Sequence, residues 1–368
     1  MELAEARRSI LSIYCNDTHA FCGQPNGTVG VYNMGSGQLV RELAPAEGGK
    51  NMSCDNFIEV AGSEEVVAAA YSPTWGYKGH KRVVVWSSRG KMEELHSLNV
   101  DEYSCSNDSC EHQEALFTEI KSVLVFDRSK VAVMVHQWLI RQRLKSSVSL
   151  ILLEKVNSKW ENKNLGCFPF RTGSMASDGA WLGLLVGRQN KIKLWHGNES
   201  QQDIFLTEND SKFVNGVCLD VGMFFEFPHI VLSAQNGFPI LGNAHWIRVY
   251  KIEAGVLHLV KSIRFGSEGY CKLRPISNKV RLGFLETRSC GGATIVHLFE
   301  KRKLFSDGLS PAEDKERRRI EVEGNPIAMN SFCLLSCLLK EKGVSSDSEG
   351  EDEQEGVSLG LMKKDFWM

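Results

Sequence analysis

The sequence lacks an excess of charge of either sign, and it lacks any long apolar run. Its 368 residues include 43 lysines and arginines and 45 aspartates and glutamates, so the formal net charge is −2. A chain without a basic excess has no global basic field to hold a polyanion through many phosphate contacts, so we expect no nucleic-acid partner. No apolar stretch approaches the roughly 18 residues that a membrane helix needs. We therefore expect no membrane partner either.

The features of a secreted disulfide scaffold are also missing. The 11 cysteines are an odd number, scattered from Cys15 to Cys337 without the spacing of a small disulfide framework. The first residues contain no apolar core of a signal peptide. We therefore expect reduced thiols and a cytoplasmic or nuclear location.

Catalytic motifs are absent. The sequence has no Gly-x-x-x-x-Gly-Lys-Ser/Thr loop, no His-Glu-x-x-His pair and no Gly-x-Ser-x-Gly turn. Cys105, Cys110 and His112 form the best metal candidate, but a structural zinc site needs a fourth ligand and none is close in sequence. We expect exposed thiols there instead. The prediction is a protein that is not an enzyme and holds no cofactor and no metal.

One strand pattern recurs seven times along the chain. It consists of an apolar residue, any residue, a second apolar residue and then a large apolar or aromatic residue. The copies occupy 29–32, 83–86, 150–153, 192–195, 247–250, 296–299 and 359–362. A second apolar strand precedes each copy, at 19–24, 66–71, 131–137, 181–188, 230–235, 280–286 and 332–339. A repeat of this kind predicts an array of like structural units.

Two further strands complete each unit. More polar outer strands are predicted at 38–43, 94–98, 204–207 and 256–263, and leading strands at 9–15, 121–127 and 212–220. Four short antiparallel strands repeated about seven times favour radial stacking, in which each sheet covers the next. A two-sheet sandwich would not need the same unit so often. We predict an all-β fold, a β-propeller of about seven four-stranded antiparallel blades, with residues 1–368 as a single domain.

Two segments resemble the WD-repeat family. Residues 26–38 begin with Asn-Gly-Thr and continue into the first copy of the repeated strand, and residues 190–196 read Asn-Lys-Ile-Lys-Leu-Trp-His. Both are similar to the stretch of a WD repeat in which Asp-Gly-Thr leads into a strand that ends in Trp-Asp. No copy has the Trp-Asp pair, and the pair Gly79-His80 lies in a different loop. The resemblance implies a WD40-like propeller and a role in binding other proteins.

The aromatic residues that end the repeated strand have a structural interpretation. They are Tyr32, Trp86, Trp195, Tyr250 and Phe299. Because they recur at one strand position, we expect them to pack between blades rather than to form a binding surface.

The loops between second and third strands carry the candidate binding residues. Three successive units place cations and aromatic residues there: Trp75, Tyr77, Lys78, Lys81, Arg82, Trp138, Arg141, Arg143, Lys145, Arg188 and Lys191. Loops on a rigid scaffold are common binding sites. Guanidinium groups bind phosphate and carboxylate groups in bidentate fashion, so the predicted ligand is an acidic or phosphorylated peptide. The alternative is an ordinary solvated loop surface.

An acidic segment at 345–356 contains no apolar residue, so we expect a disordered loop within the last blade. Ser346 has Glu349 three residues later, and Ser348 has Glu351. This is the spacing that an acidophilic kinase such as casein kinase 2 prefers, so both serines are predicted phosphorylation sites. The alternative is a loop that only keeps the protein soluble.

Two functions are consistent with these features. The first is a non-enzymatic scaffold or adaptor for protein–protein interaction, a monomeric propeller within a larger complex. The alternative is a substrate-recognition subunit of a ubiquitin ligase that binds acidic or phosphorylated peptides. An enzyme that uses a propeller funnel is a third class, which no motif supports.

Replacing 345–356 by a short glycine-rich turn is expected to leave the thermal stability almost unchanged. The segment has nothing to bury, and shortening a flexible loop changes its closure entropy by no more than about 1 kcal/mol. The measurement is the melting temperature of the deletion variant beside the full chain. A large decrease would show that the segment packs against the fold.

Overall fold

A computed structural model describes 12–24, 27–45, 57–71, 81–102, 116–139, 146–169, 172–186, 189–196, 200–207, 218–236, 244–266, 271–277, 281–288, 294–306 and 318–322. These residues form six sheets, each of four antiparallel strands. Their helical content is a 3-10 turn at Val100–Glu102, the 3-10 residue Gln189 and one α-helical turn, α1, at Lys301–Leu304. Within them, no helix has the length and apolarity to span a membrane. The predicted all-β fold of four-stranded antiparallel blades is confirmed.

The first of two compact units, Met1–Asp203, contains the first four sheets except for the last two residues of sheet 4. Sheet 1 consists of β1 (Ser12–Cys15), β2 (His19–Gly23), β3 (Val29–Asn33) and β4 (Leu39–Leu43). Sheet 2 consists of β5 (Phe57–Gly62), β6 (Val66–Tyr71), β7 (Arg82–Ser87) and β8 (Glu94–Asn99). Sheet 3 consists of β9 (Leu116–Phe126), β10 (Lys130–Leu139), β11 (Ser146–Val156) and β12 (Lys159–Pro169). Sheet 4 consists of β13 (Thr172–Ser177), β14 (Trp181–Val186), β15 (Lys191–His196) and β16 (Ser200–Phe205).

The second unit, Ile204–Met368, contains sheets 5 and 6. Sheet 5 consists of β17 (Cys218–Glu226), β18 (His229–Asn236), β19 (Ala244–Glu253) and β20 (Val256–Gly266). Sheet 6 consists of β21 (Cys271–Ser277), β22 (Arg281–Arg288), β23 (Thr294–Glu300) and β24 (Arg318–Val322). The predicted strands at 332–339 and 359–362 and the acidic segment at 345–356 lie outside the described residues. The predictions of a seventh blade and of a single domain therefore stay predictions.

Within each sheet, every strand pairs with the next one along the chain, so each sheet is a simple meander. Tight turns make this possible. Asn157 and Ser158 connect β11 to β12 with φ values of 49° and 68°, and Ala254 and Gly255 connect β19 to β20 with 50° and 78°. Two positive φ values in a two-residue loop are typical of the type I′ turn, whose twist matches that of the flanking strands.

The leading strands of successive sheets lie side by side. In the first unit β1 contacts β5, β5 contacts β9, and β9 contacts β13; in the second unit β17 contacts β21. This arrangement is the one expected for propeller blades, whose first strands are neighbours at the centre of the ring.

The hydrophobic core of each unit consists of layers between consecutive sheets. On β6, Val67, Ala69 and Tyr71 pack into the cluster shared with sheet 1, whereas Val66 and Ala68 pack into the cluster shared with sheet 3. Alternate side chains of a strand point to opposite faces of its sheet. A strand between two such layers is therefore apolar along its whole length, as the six buried residues of β6 show.

The aromatic residues at the end of the repeated strand are buried, as predicted. Trp86 belongs to the cluster between sheets 1 and 2, Trp195 to that between sheets 3 and 4, and Phe299 to that between sheets 5 and 6. Tyr32 and Tyr250 are also in the interior. In three sheets the register to the outer strand shifts directly before this aromatic residue, at Tyr32, Trp86 and Tyr250. Such bulges increase the local twist of the outer strand.

Two strands have bounds that are shifted from those that the pattern predicted. The outer strand of sheet 4 was predicted at 204–207 but is Ser200–Phe205, and the leading strand of sheet 5 was predicted at 212–220 but is Cys218–Glu226. The tight turn at Phe227-Pro228 pairs Glu226 with His229 and so determines where that leading strand ends. Turn geometry sets the register of a hairpin, which apolar periodicity alone does not.

Polar side chains of the leading strands join neighbouring sheets. Ser12 Oγ accepts a hydrogen bond from Val60 N–H at 3.0 Å. Glu59 Oε2 accepts hydrogen bonds from Ser122 Oγ and from Val123 N–H, both at 2.9 Å. In both cases a side-chain oxygen of one sheet accepts a hydrogen bond from the backbone N–H of a buried residue in the next sheet. A buried backbone N–H needs such a partner.

Close approach of sheets 1 and 2 depends on a glycine. A Cβ atom at Gly62 would lie 2.4 Å from ring atoms of Tyr14, which is far inside van der Waals contact. The Tyr14 ring also stacks on Phe21, with ring centroids 6.0 Å apart. A larger residue at 62 would therefore force Tyr14 away from its position.

Glu59→Ala is expected to lower the free energy of unfolding by about 1–3 kcal/mol, because it leaves the buried N–H of Val123 without an acceptor. Glu59→Gln keeps a side-chain oxygen and should have a smaller effect. The measurement is urea-induced unfolding followed by tryptophan fluorescence. Glu161→Ala, at an exposed position of β12, is the control. Equal effects of Glu59→Ala and Glu161→Ala would contradict the proposed role of Glu59.

Candidate functional site

Four members of the predicted basic surface lie in the described part of the chain. Lys81 directly precedes β7, Arg82 begins β7, Trp138 belongs to β10 and Lys191 begins β15. The other seven are outside the described residues: Trp75, Tyr77, Lys78, Arg141, Arg143, Lys145 and Arg188. The predicted phosphorylation sites Ser346 and Ser348 are also outside, as are Cys105, Cys110 and His112.

Lys81 contacts the residues that directly follow the last strand of sheet 2. Its Nζ lies 3.0 Å from Asp101 Oδ1, and its backbone oxygen accepts a hydrogen bond from Val100 N–H at 2.8 Å. The Lys81 side chain is only about one-fifth exposed. The neighbouring Arg82 is half-buried. In this part of the predicted surface, the charge of Lys81 is therefore paired with the carboxylate of Asp101.

Lys191 shares a counter-ion with a buried lysine. Asp203 lies 2.7 Å from Lys191 Nζ and 3.0 Å from Lys193 Nζ. Lys193 is buried, and its ammonium group stands 5.6 Å from the centre of the Phe168 ring. Burial alone would raise the pKa of Asp203, but hydrogen bonds from the two lysines and their charges lower that pKa below its ordinary value. Lys191 is thus part of a structural ion-pair network between β15 and β16.

His136, two residues before Trp138, contributes no positive charge at neutral pH. Its side chain is buried, and burial together with the charge of Lys121 lowers its pKa to about 4, against the opposing effect of Glu119. Lys121 and Glu119 form an ion pair of 2.8 Å on β9. His136, Lys121 and Glu119 together therefore carry almost no net charge. A basic surface at the loop that follows β10 depends on residues outside the described part. It stays a prediction.

A groove lies elsewhere in the first unit, at the turns that lead from the first to the second strand of sheets 2, 3 and 4. Its volume is about 740 Å³. Eleven residues line this turn groove: Gly62, Ser63, Glu64, Glu65, Arg89, Val125, Phe126, Asp127, Arg128, Gly179 and Ala180. It lies at the end of sheets 2 and 4 opposite to Lys81 and Lys191, because these lysines stand where a third strand begins and the groove stands where a second strand begins.

Hydrogen bonds fix the turns of the groove to one another. Ser63 Oγ donates to the backbone oxygen of Arg128, which links sheet 2 to sheet 3. Asp127 N–H donates to the backbone oxygen of Gly179, which links sheet 3 to sheet 4. Gly179 has a φ of 97°, a conformation that side chains rarely adopt. The backbone of the groove is thus fixed by hydrogen bonds between neighbouring sheets.

Two residues of the turn between β9 and β10 have an unusual backbone conformation. Asp127 has a φ of 43° and Arg128 has a φ of 58°. Aspartate tolerates this left-handed region, but for arginine it costs roughly 1–2 kcal/mol. The turn closes between Phe126 and Lys130, which are directly paired.

The charges that line the groove are partly paired. Arg89 Nη2 lies 3.0 Å from Glu64 Oε2, and Lys130 Nζ lies 2.7 Å from Asp127 Oδ2. Glu65 and Arg128 are exposed. Among the described residues, neither side chain forms an ion pair or a hydrogen bond. One free carboxylate and one free guanidinium therefore remain at the edge of the groove.

The described residues contain little that could perform catalysis or hold a metal. No group of three or more His, Cys, Asp and Glu side chains converges within them. Cys15 and Cys22 are buried thiols, and burial raises the pKa of Cys22 to about 12. Such a thiol is protonated at neutral pH and is a poor nucleophile. Cys167 is an exposed thiol on β12.

The sequence patterns did not predict the turn groove. Turn residues do mark its edges, since Ser63, Asp127 and Asp178 each begin a first-to-second turn. No pattern in the sequence shows that three turns so far apart in the chain meet, because that proximity arises only from the side-by-side packing of the leading strands.

Asp203→Asn is expected to destabilise the protein by about 1–2 kcal/mol at pH 7, because it removes the charge that Lys191 and Lys193 share. The folded-state pKa of Asp203 is below its unfolded value. Its contribution is therefore complete above about pH 4, the unfolded pKa, and is lost as the pH falls through the folded pKa. The measurement is the difference in unfolding free energy between wild type and variant from pH 7 to pH 3. A difference that persists undiminished at pH 3 would contradict this assignment.

The control for Asp203→Asn is Glu253→Gln. Glu253 pairs with Lys251 at 2.7 Å, but its carboxylate is about half exposed. Water screens such a pair, so the substitution should change stability much less.

No protein-family model matches the chain, and no curated protein matches it. Among solved structures, the periplasmic gluconolactonase PpgL of Pseudomonas aeruginosa is similar with a TM-score of 0.47 and 11% identity, over 86% of this chain and 83% of that one. The N-terminal domain of Nup159 has a TM-score of 0.45 and 10% identity, over 85% of this chain and 78% of that one. The WD40 domain of SCAP from fission yeast has a TM-score of 0.42 and 8% identity, over 84% of this chain and 71% of that one. Identities of this size transfer no activity or partner from one protein to another.

Proposed function

We propose that this protein is a non-enzymatic platform for protein–protein interaction, a WD40-like propeller that binds partners through its turns and loops. The observation that carries the proposal is the turn groove, whose charged side chains stand on a backbone fixed by hydrogen bonds between neighbouring sheets. A binding surface fixed in advance loses less conformational entropy on association. Loops and turns on a rigid β scaffold are a common place for such surfaces.

The chemistry of the described residues supports binding better than catalysis. The carboxylates of Glu64 and Asp127 are each in an ion pair with a nearby cation. The Cys22 thiol is buried and protonated. What remains exposed at the groove is a set of charges that can recognise a complementary surface, and electrostatic complementarity chiefly gives specificity and a fast association rate.

The proposal includes a cytoplasmic or nuclear location, because the 11 cysteines do not have the spacing of a disulfide framework. A narrower hypothesis is a substrate-recognition subunit of a ubiquitin ligase. It depends on the cations and aromatic residues of the loops at 75–82 and 138–145, which would bind an acidic or phosphorylated peptide. Phosphate on Ser346 or Ser348 of this chain would compete for the same cations.

Reversal of Arg141 and Arg143 to Glu is expected to abolish capture of acidic or phosphorylated partners without unfolding the protein. Each charge-assisted hydrogen bond contributes about 1.5–3 kcal/mol, so the loss of two weakens a micromolar contact to a Kd above about 0.1 mM, too weak for capture from cells. Exposed loop residues usually change stability by less than about 0.5 kcal/mol. The measurement is affinity purification from cells followed by mass spectrometry, at low and at high salt.

The matched control reverses two exposed lysines of sheet 3, Lys155 and Lys163, to Glu. This variant has the same change of net charge and should recover the wild-type set of partners. If the Arg141/Arg143 variant also recovers that set, the basic loops are only solvated surface. If the wild-type chain recovers no specific partner, the proposed function itself is wrong.

A further inference from the structure

We propose that the turn groove binds an extended peptide segment in which a basic and an acidic side chain flank an apolar residue. The basic side chain pairs with Glu65, the acidic one pairs with Arg128, and the apolar residue lies over the floor of the groove. This inference rests on the proposed function, because it assigns a partner chemistry to one surface of the platform. The surface is distinct from the loops at 75–82 and 138–145.

Charge complementarity selects this ligand. Of the charges around the groove, Arg89 is neutralised by Glu64 and Asp127 by Lys130. Among the described residues, Glu65 and Arg128 make no such pair, although each lies on the groove edge next to a pair that is formed. A ligand of one sign would satisfy one of these groups and be repelled by the other. A ligand with both signs satisfies the two together.

The backbone at Arg128 gives a second reason to assign a role to its side chain. Glycine adopts a φ of 58° without cost, yet the chain has arginine there and keeps its guanidinium exposed. The backbone oxygen of Arg128 is held by Ser63 Oγ, so the residue is anchored from the neighbouring sheet. Strained residues that the surrounding structure holds in place are often found at binding sites.

Size and lining fit a peptide. The volume of about 740 Å³ lies within the roughly 300–1,000 Å³ range of ligand-binding clefts. Val125 is only partly buried and contributes apolar surface, and Gly179 and Ala180 leave one side without bulky side chains. Nothing lies within 4 Å of the place where a Cβ of Gly179 would be, so a peptide backbone can approach there.

The experiment uses the full chain and a phage-displayed library of random twelve-residue peptides. Enriched peptides are synthesised with a fluorescent label, and their affinities are measured by fluorescence anisotropy. The variants are Glu65→Arg, Arg128→Glu, Arg128→Gly and the combination of Glu65→Arg with Arg128→Glu. Controls outside the groove lining are Glu161→Arg and Lys163→Glu, both exposed on β12.

The enriched peptides are expected to carry a basic and an acidic residue on either side of an apolar one. Each single reversal should weaken their binding at least tenfold, and Arg128→Gly should weaken it while the fold stays intact. The two controls should bind as the wild type does. The combined reversal should prefer peptides in which the two charges have been exchanged, a result that loss of structure could not produce.

The inference is overturned if the library yields no enriched peptide, if the enriched peptides lack this charge pattern, or if the single reversals bind them within twofold of wild type. Peptides that lose binding only on reversal of Arg141 and Arg143 would place recognition on the basic loops. In that case the peptide site is not the groove, but the proposed function in protein–protein interaction is not contradicted. If affinity purification also recovers no partner, both proposals fail.

Discussion

Burial of both faces of sheets 2 and 3 against the neighbouring sheets is the constraint on which the rest of the first unit depends. A four-stranded sheet alone cannot remove two apolar faces from water, so β6 and β10 need a partner layer on each side. One strand, β10, contributes side chains to two layers. Its residues Val131 and Val133 pack toward sheet 2, and Ala132 and Met134 pack toward sheet 4. The leading strands must then lie side by side, and their turns meet.

Leading strands that lie side by side bury polar backbone groups as well as apolar side chains. Buried backbone groups between sheets need partners, and Ser12 and Glu59 supply oxygen atoms to Val60 and Val123. At the exposed turns, Ser63 Oγ donates a hydrogen bond to the backbone oxygen of Arg128, and Asp127 N–H donates one to the backbone oxygen of Gly179. The turn groove is thus a direct result of sheet packing, and its unpaired Glu65 and Arg128 are the groups left over when the structural bonds are made.

Much of the fold could be predicted because two sequence signals are local. The apolar periodicity of β6 and the recurrence of Trp86 and Trp195 at one strand position identify strands and their buried faces without reference to distant residues. The bulges directly before Tyr32, Trp86 and Tyr250 were not foreseen, because an extra residue in an outer strand leaves the apolar pattern of the inner strands unchanged. The candidate site was foreseen less well. The ion pairs of Lys81 and Lys191 with Asp101 and Asp203 join different strands or segments, and charge counts alone do not reveal them.

The sequence by itself determined the all-β class, the repeated four-strand unit and the interior position of its aromatic residues, because each of these follows from side-chain periodicity along one strand or one hairpin. Only the tertiary structure decided which turns meet, which charges are neutralised and which stay free. Those outcomes depend on distances between residues that are far apart in the chain, such as Ser63 and Arg128, and packing of successive sheets sets these distances. The turn groove and its two unpaired charges therefore belong to the fold rather than to any segment of the sequence.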